Sequence, residues 1–286
     1  MVSHTFLVFG DLHGRILPAF RLALAWQREH GERLSGLLQA GDLGFFPDPS
    51  RLDKATKRYA EDDPLELGAQ LIAVRSHQAD AIFAEPELPD ALWFTAGNHE
   101  DHAALDSLAH GTGCTRDDFP VDFYHRVRCV RDGHVITLPG GLRVGALWGI
   151  DDQAPNARRK TSARGRISQR SATMLSCETF DVLLTHESPR DAMILGAGSD
   201  AISFVIELGH PAFVFFGHYH GDTRFDPADF APTRVFHLHG LEFRERGGCA
   251  ETNSIGVLRW EGEKGQFEYV DPSWLRTFTR HNWKYR

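Results

Sequence analysis

Apolar runs of four to six residues recur along the chain, and each stops abruptly at a glycine, an acid, an amide or a histidine. Thr5–Phe9 is the first and predicts a strand. Pro18–His30 then carries Leu22, Ala25 and Trp26 at helical spacing, with Gly31 as the stop. Gly36–Ala40 reads as a second strand, and Phe46–Asp63 as a polar loop insertion with some helix. Leu65–Phe83 has the pattern of one amphipathic helix, closed by "EPELPD". Ala91–Thr95 is a third strand, and a helix begins at Glu100–Leu108. From Phe123 to Trp148 the pattern changes to short strands around "RDGH" and "PGG". Val182–Thr185 and Ala212–Phe216 are buried strands, with helices expected around Asp191–Leu195 and Asp200–Leu208. Short strands around Arg234–His239 and Ile255–Trp260 complete the core. This alternation implies a layered α/β fold with two sheets. No repeat or long linker interrupts it, so one domain over residues 1–286 is expected, with insertions near 46–64 and 151–175.

The polar clusters that end these strands are "GDLHG", "GDLG", "GNHE", "THES" and "GHYH". In open α/β sheets ligands bind beyond the carboxyl ends of the strands, so the clusters can meet on one rim. They contribute Asp11, His13, Asp42, Asn98, His99, His186, His218 and His220. Carboxylates, imidazoles and an amide oxygen form a mixed O/N donor set that suits manganese, iron or zinc better than calcium or magnesium. There are enough donors for two ions sharing a carboxylate. Cys114, Cys129, Cys177 and Cys249 are scattered, so neither a zinc ribbon nor a disulfide framework is indicated and a reduced, cytoplasmic setting is expected. No leader and no membrane span are read from the chain. The formal net charge of −8 gives no overall attraction to nucleic acid or to an anionic membrane. One local exception is Asn156–Arg170, which carries Arg158, Arg159, Lys160, Arg164, Arg166 and Arg170 without an acid and is expected to be exposed and mobile.

From the first strand to Tyr219–His220, the five clusters in this order resemble the signature blocks of the calcineurin-like metallophosphoesterases. The resemblance implies a four-layer sandwich of two mixed β-sheets flanked by helices, and two divalent metal ions, with manganese the first choice and iron or zinc the alternatives. It implies that Asp11, His13 and His220 bind one metal, that Asp42 bridges, and that Asn98, His186 and His218 bind the other. His99 would contact the phosphate and assist the leaving oxygen, and Glu100 would orient His99 by accepting its ring N–H. The chemistry implied is phosphoester hydrolysis by in-line attack of a metal-bound hydroxide.

Departures narrow the ester. The protein Ser/Thr phosphatases of this superfamily carry an arginine after the second block and another before the third, and "GDLGFF" and "TAGNHE" have neither. A weaker similarity to RNA lariat debranching enzymes lies in "GNHED", "LRVGALWGIDD" with the basic stretch after it, and "THESPRD"; those enzymes typically have a cysteine where Asp11 stands. The reading is therefore a phosphodiesterase acting on a nucleotide or on RNA or DNA. Arg158, Arg159 and Lys160 are candidates to grip flanking phosphates, and Phe45 and Phe46 to stack on a base. The alternatives are a small-molecule phosphomonoesterase and, from another class, a non-catalytic binding scaffold. No membrane and no obligate protein partner are expected.

Overall fold

The computed structural model describes residues 3–113, 116–152, 161–223, 225–243 and 248–285. Its strands are β1 His4–Phe9, β2 Leu34–Ala40, β3 Leu92–Thr95, β4 Asp118–Pro120, β5 Val127–Val130 and β6 Val135–Thr137. After these come β7 Arg143–Leu147, β8 Val182–Thr185, β9 Phe213–Phe216, β10 Arg234–His237, β11 Ile255–Glu261 and β12 Lys264–Tyr269. Among the described residues they form a seven-stranded sheet, β12-β11-β1-β2-β3-β5-β4, and a five-stranded sheet, β10-β9-β8-β7-β6. Both are mixed. β1, β2, β3 and β5 run parallel, β11 lies antiparallel to β1, and β7 to β10 are parallel with β6 antiparallel at the edge. Helices flank the sheets, giving the expected two-sheet α/β sandwich.

Side chains alternate across each strand, and here both faces are covered. On β1, Phe6 and Val8 point into the core between the sheets, together with Leu38 of β2, Leu184 of β8 and Phe215 of β9. Leu7 and Phe9 face the other way, into the layer under the helix Ile16–His30 with Leu17, Phe20 and Leu24. Leu183 and Val214 face the outer helices of the five-stranded sheet. Double burial explains why these strands read as continuous apolar runs.

Several segments depart from the sequence reading. Leu65–Phe83 is not one helix but a turn, Pro64–Leu67, and two short helices, Gly68–Ala73 and His77–Phe83. Ser76 makes the break: its hydroxyl accepts from Ala79 N–H and donates to the Leu71 carbonyl, satisfying both broken ends. Asp191–Leu195 is a turn, with Asp191 at φ 64° and its carboxylate accepting from Gly196 N–H. β12 was not foreseen, because "KGQFEY" at the sheet edge buries only Phe267 fully and shows no apolar alternation. No helix among the described residues is long and apolar enough to cross a membrane.

Candidate metal centre and active site

Five parallel strands end on one rim. β1 delivers Asp11 and His13, β2 Asp42, β3 Asn98 and His99, β8 His186, and β9 His218. The first three strands belong to one sheet and the last two to the other, so the site straddles both. Asp11, His13 and Asp42 offer ligand atoms within 4.8 Å of one another. His186 Nε2 lies 3.1 Å from Asp42 Oδ2, and its Nδ1 lies 3.5 Å from Asp11 Oδ1. His218 Nδ1 is 3.1 Å from His186 Nε2. Asp11, Asp42, His186 and His218 are buried, and the His13 and His99 rings meet edge to face at 5.7 Å. His220 is exposed on the same turn as His218, near His237.

The glycines of the clusters serve this convergence. A Cβ on Gly217 would lie 2.0 Å from Asp11 Oδ1, and one on Gly97 would lie 2.1 Å from Asp42 Oδ1. Their absence lets the backbone close on the carboxylates: His218 N–H donates to Asp11 at 3.1 Å and His99 N–H to Asp42 at 2.8 Å. His13, Asp42 and His218 sit at φ 42°, 49° and 69°, a conformation that costs about 1–3 kcal/mol per residue and gathers at functional sites.

The electrostatics are those of a cation site. Burial and the neighbouring Asp42 charge push the Asp11 carboxyl up, although His186 opposes them. Burial would raise Asp42 as well, but the charges of His186 and His99 outweigh it and hold Asp42 ionised. Burial drives His13 down to about 3, so its ring is neutral with a lone pair to give. Asp42 Oδ2 and Asn98 Oδ1 are buried oxygens without a well-aligned hydrogen-bond donor. Buried acceptors in native proteins are almost always satisfied, and oxygens left over in a nest of carboxylates and imidazoles are suited to a divalent cation. The residues present therefore fit the metal that the sequence implies.

His186 supplies a test. Burial works against its charge, but Asp42 and Asp11 overcome it and hold the pKa at about 9. At pH 7.5 the ring must lose its proton to become a ligand, so cation uptake is expected to release protons and to tighten as pH rises toward 9. Calorimetry in two buffers of different ionisation enthalpy measures this. Heats that do not depend on the buffer would remove His186 from the ligand set.

Two assignments need correction. Glu100 does not touch the His99 ring; its buried carboxylate accepts from Leu43 N–H at 2.7 Å and Phe45 N–H at 2.5 Å and so shapes the loop that follows Asp42. Burial and the Asp42 charge push this acid up to about 8. The partner of His99 is Asp53, whose Oδ2 lies 2.5 Å from His99 Nδ1. Phe45 and Phe46 are the second correction. Phe45, 1% exposed, is packed in the core and has no face for a base, and Phe46, 3% exposed, shows little of its ring to the neighbouring cavity. His102 is also buried, with Nε2 3.0 Å from the Gly97 carbonyl beneath the Asn98–His99 turn.

Beside His99 lies a cavity of about 490 Å³, lined by Phe46, Arg51, Asp53, Thr161, Ser162 and Arg164 as well as by residues 98–103. Arg158, Arg159 and Lys160 lie outside the described residues. The segment after them finds its acids elsewhere in the chain: Arg164 meets Asp106 at 3.5 Å, and Arg166 meets buried Asp152 at 2.8 Å.

The calcineurin-like phosphoesterase family model matches residues 4–222, and the chain belongs to that family. It is a metal-dependent phosphoester hydrolase. Among solved structures, the protein TT1561 of Thermus thermophilus is similar in fold at TM-score 0.50 and 12% identity, covering 94% of this chain and 100% of that one. A phosphatase from Mycoplasma pneumoniae aligns over 99% of both chains at 13% identity and TM-score 0.42. No curated protein sequence matches the chain.

Proposed function

We propose that the chain hydrolyses phosphodiesters of nucleotide size, using two divalent cations, manganese first among them. Asp11, His13 and His220 would hold one, Asn98, His186 and His218 the other, with Asp42 shared. Bound there, the cations would supply a nucleophile at neutral pH and positive charge for the phosphate oxygens. The chain's own residues do the rest. Asp53 takes the Nδ1–H of His99 and leaves Nε2 to meet the ester oxygen that departs. Metal-free, burial would depress His99, but the Asp42 charge and the Asp53 hydrogen bond lift its pKa to about 9. With Asp42 holding cations, the Asp53 hydrogen bond is what would keep a proton on the ring to give.

One observation supports a substrate of nucleotide size: a cavity of about 490 Å³ opens beside His99, the residue that would meet the leaving oxygen. That volume is in the range of small-molecule pockets, and the hydroxyls of Thr161 and Ser162 suit a polar substituent. The cavity would receive the leaving alcohol, which a monoester has as well as a diester, so the diester preference rests on the likeness of "GNHED" and "THESPRD" to the debranching enzymes. Because Arg164 and Arg166 already face acids, a compact nucleotide diester is favoured over a polynucleotide. The free thiols of Cys129 and Cys177 accord with a reduced, cytoplasmic setting. Steady-state kinetics of the manganese-loaded protein on bis-p-nitrophenyl and mono-p-nitrophenyl phosphate test the reading, with kcat/KM expected to be at least ~10-fold higher for the diester, about 1.4 kcal/mol of preference. The reverse preference would make the small-molecule phosphomonoesterase the better description.

A further inference from the structure

Arg15 follows the first metal-ligand block by one residue, and its side chain is almost fully buried at 1% exposure. A buried guanidinium needs partners for its donors, and four are in place. Nη2 meets Asp63 Oδ2 at 2.6 Å, and Nη1 meets Glu66 Oε1 at 3.0 Å. Nη1 also donates to the backbone carbonyl of His13 at 3.0 Å and reaches that of Leu12 at 3.4 Å. Arg15 is thus fastened on one side to the 62–68 segment and on the other to the loop that carries Asp11 and His13.

That loop needs fastening. His13 lies at φ 42°, which a non-glycine residue leaves unless its surroundings over-determine it. Its N–H side is tied to the β2 loop: Leu12 and His13 donate to the Asp42 carbonyl at 3.0 and 2.9 Å, and Gly14 donates to that of Leu43 at 2.7 Å. Its C=O side is tied through Arg15. We infer that Arg15, clamped by Asp63 and Glu66, is a positioning residue that holds Asp11 and His13 at metal-binding separation from Asp42. It touches neither cation nor substrate, and it makes the chain's own insertion part of the metal site. The inference rests on the metal reading of Asp11 and His13.

The test compares metal affinity with fold stability in the full chain. Removing Arg15 alone would leave buried Glu66 without its cation and Asp63 with Arg280 at 3.6 Å, so the main variant is Arg15→Met/Asp63→Asn/Glu66→Gln, which removes all three charges together. Metal-free, it is expected to melt close to the wild type. Its affinity for Mn²⁺, measured by calorimetry, is expected to fall ~10- to 100-fold, the usual cost of losing a group that orients a ligand. The visible spectrum of the Co²⁺-substituted protein, which reports ligand geometry, is expected to change. Should the triple variant fail to fold, Arg15→Lys gives the same readout, because it keeps one charge in the pocket but cannot reach both acids and the His13 carbonyl at once. A folded variant with wild-type Mn²⁺ affinity and an unchanged Co²⁺ spectrum would reduce Arg15 to a core ion pair and overturn the inference. A wild-type protein that takes up no divalent cation would overturn the metal reading itself.

Discussion

Asp42→Asn is expected to leave the manganese-loaded protein with fewer than two ions per chain and to lower turnover by ~10³-fold or more. The substitution keeps shape and removes only the negative charge that the two proposed cations would share. Losing about 4 kcal/mol of transition-state stabilisation, within the range metal charge supplies, corresponds to that factor. Elemental analysis after gel filtration, with melting of the metal-free variant as the control for folding, measures the first quantity. Two ions retained with near-normal activity would show that Asp42 is not the bridge.

His99→Ala is expected to have the opposite profile: both ions stay and turnover falls ~10²- to 10⁴-fold, the scale of a positioned acid–base group. The loss should shrink for a p-nitrophenolate leaving group, which needs little help from a proton. Asp53→Asn should act through the same ring. Burial pulls the His99 pKa down and Asp42 and Asp53 pull it up to about 9. That is the metal-free value; cations on Asp42 would cancel its part and leave Asp53 to hold the acid form, so without the Asp53 charge the alkaline fall in activity should move to lower pH. Loss of metal in His99→Ala, or an alkaline limb that does not move in Asp53→Asn, would contradict this division of labour.

The strands that build the rim were legible because both their faces are buried, so β1, β2, β3, β8 and β9 appear as unbroken apolar runs ending in chemistry. Their convergence followed from a rule about carboxyl ends and needed no knowledge of side-chain contacts. Asp53 was not legible. It caps the helix Lys54–Asp62 by accepting from Thr56 N–H, and an acid before a polar helix looks like any other cap. Only the fold of the insertion brings it back to His99, 46 residues away in sequence. Glu100 misled differently: the family resemblance implied that it orients His99, while its side chain turns to the backbone of Leu43 and Phe45. Arg15, Asp63 and Glu66 look like ordinary surface charges in the sequence, and it is their burial that reveals a role.

β1 lies between β2 and β11, pairing with the latter from His4 opposite Trp260 to Phe9 opposite Ile255. During translation at about 5–20 residues per second, roughly 10 to 50 s separate the synthesis of those two strands. Only in roughly the last 2 to 7 s of it, while residues 221–255 are added, does a ribosome-bound chain hold every proposed ligand up to His220 with β1 still presenting an open edge. Such an edge is a template for pairing with another nascent chain on the same polysome. The central position of the first strand thus makes chaperone cover of the growing chain matter most after the metal ligands have been made and before β11 emerges.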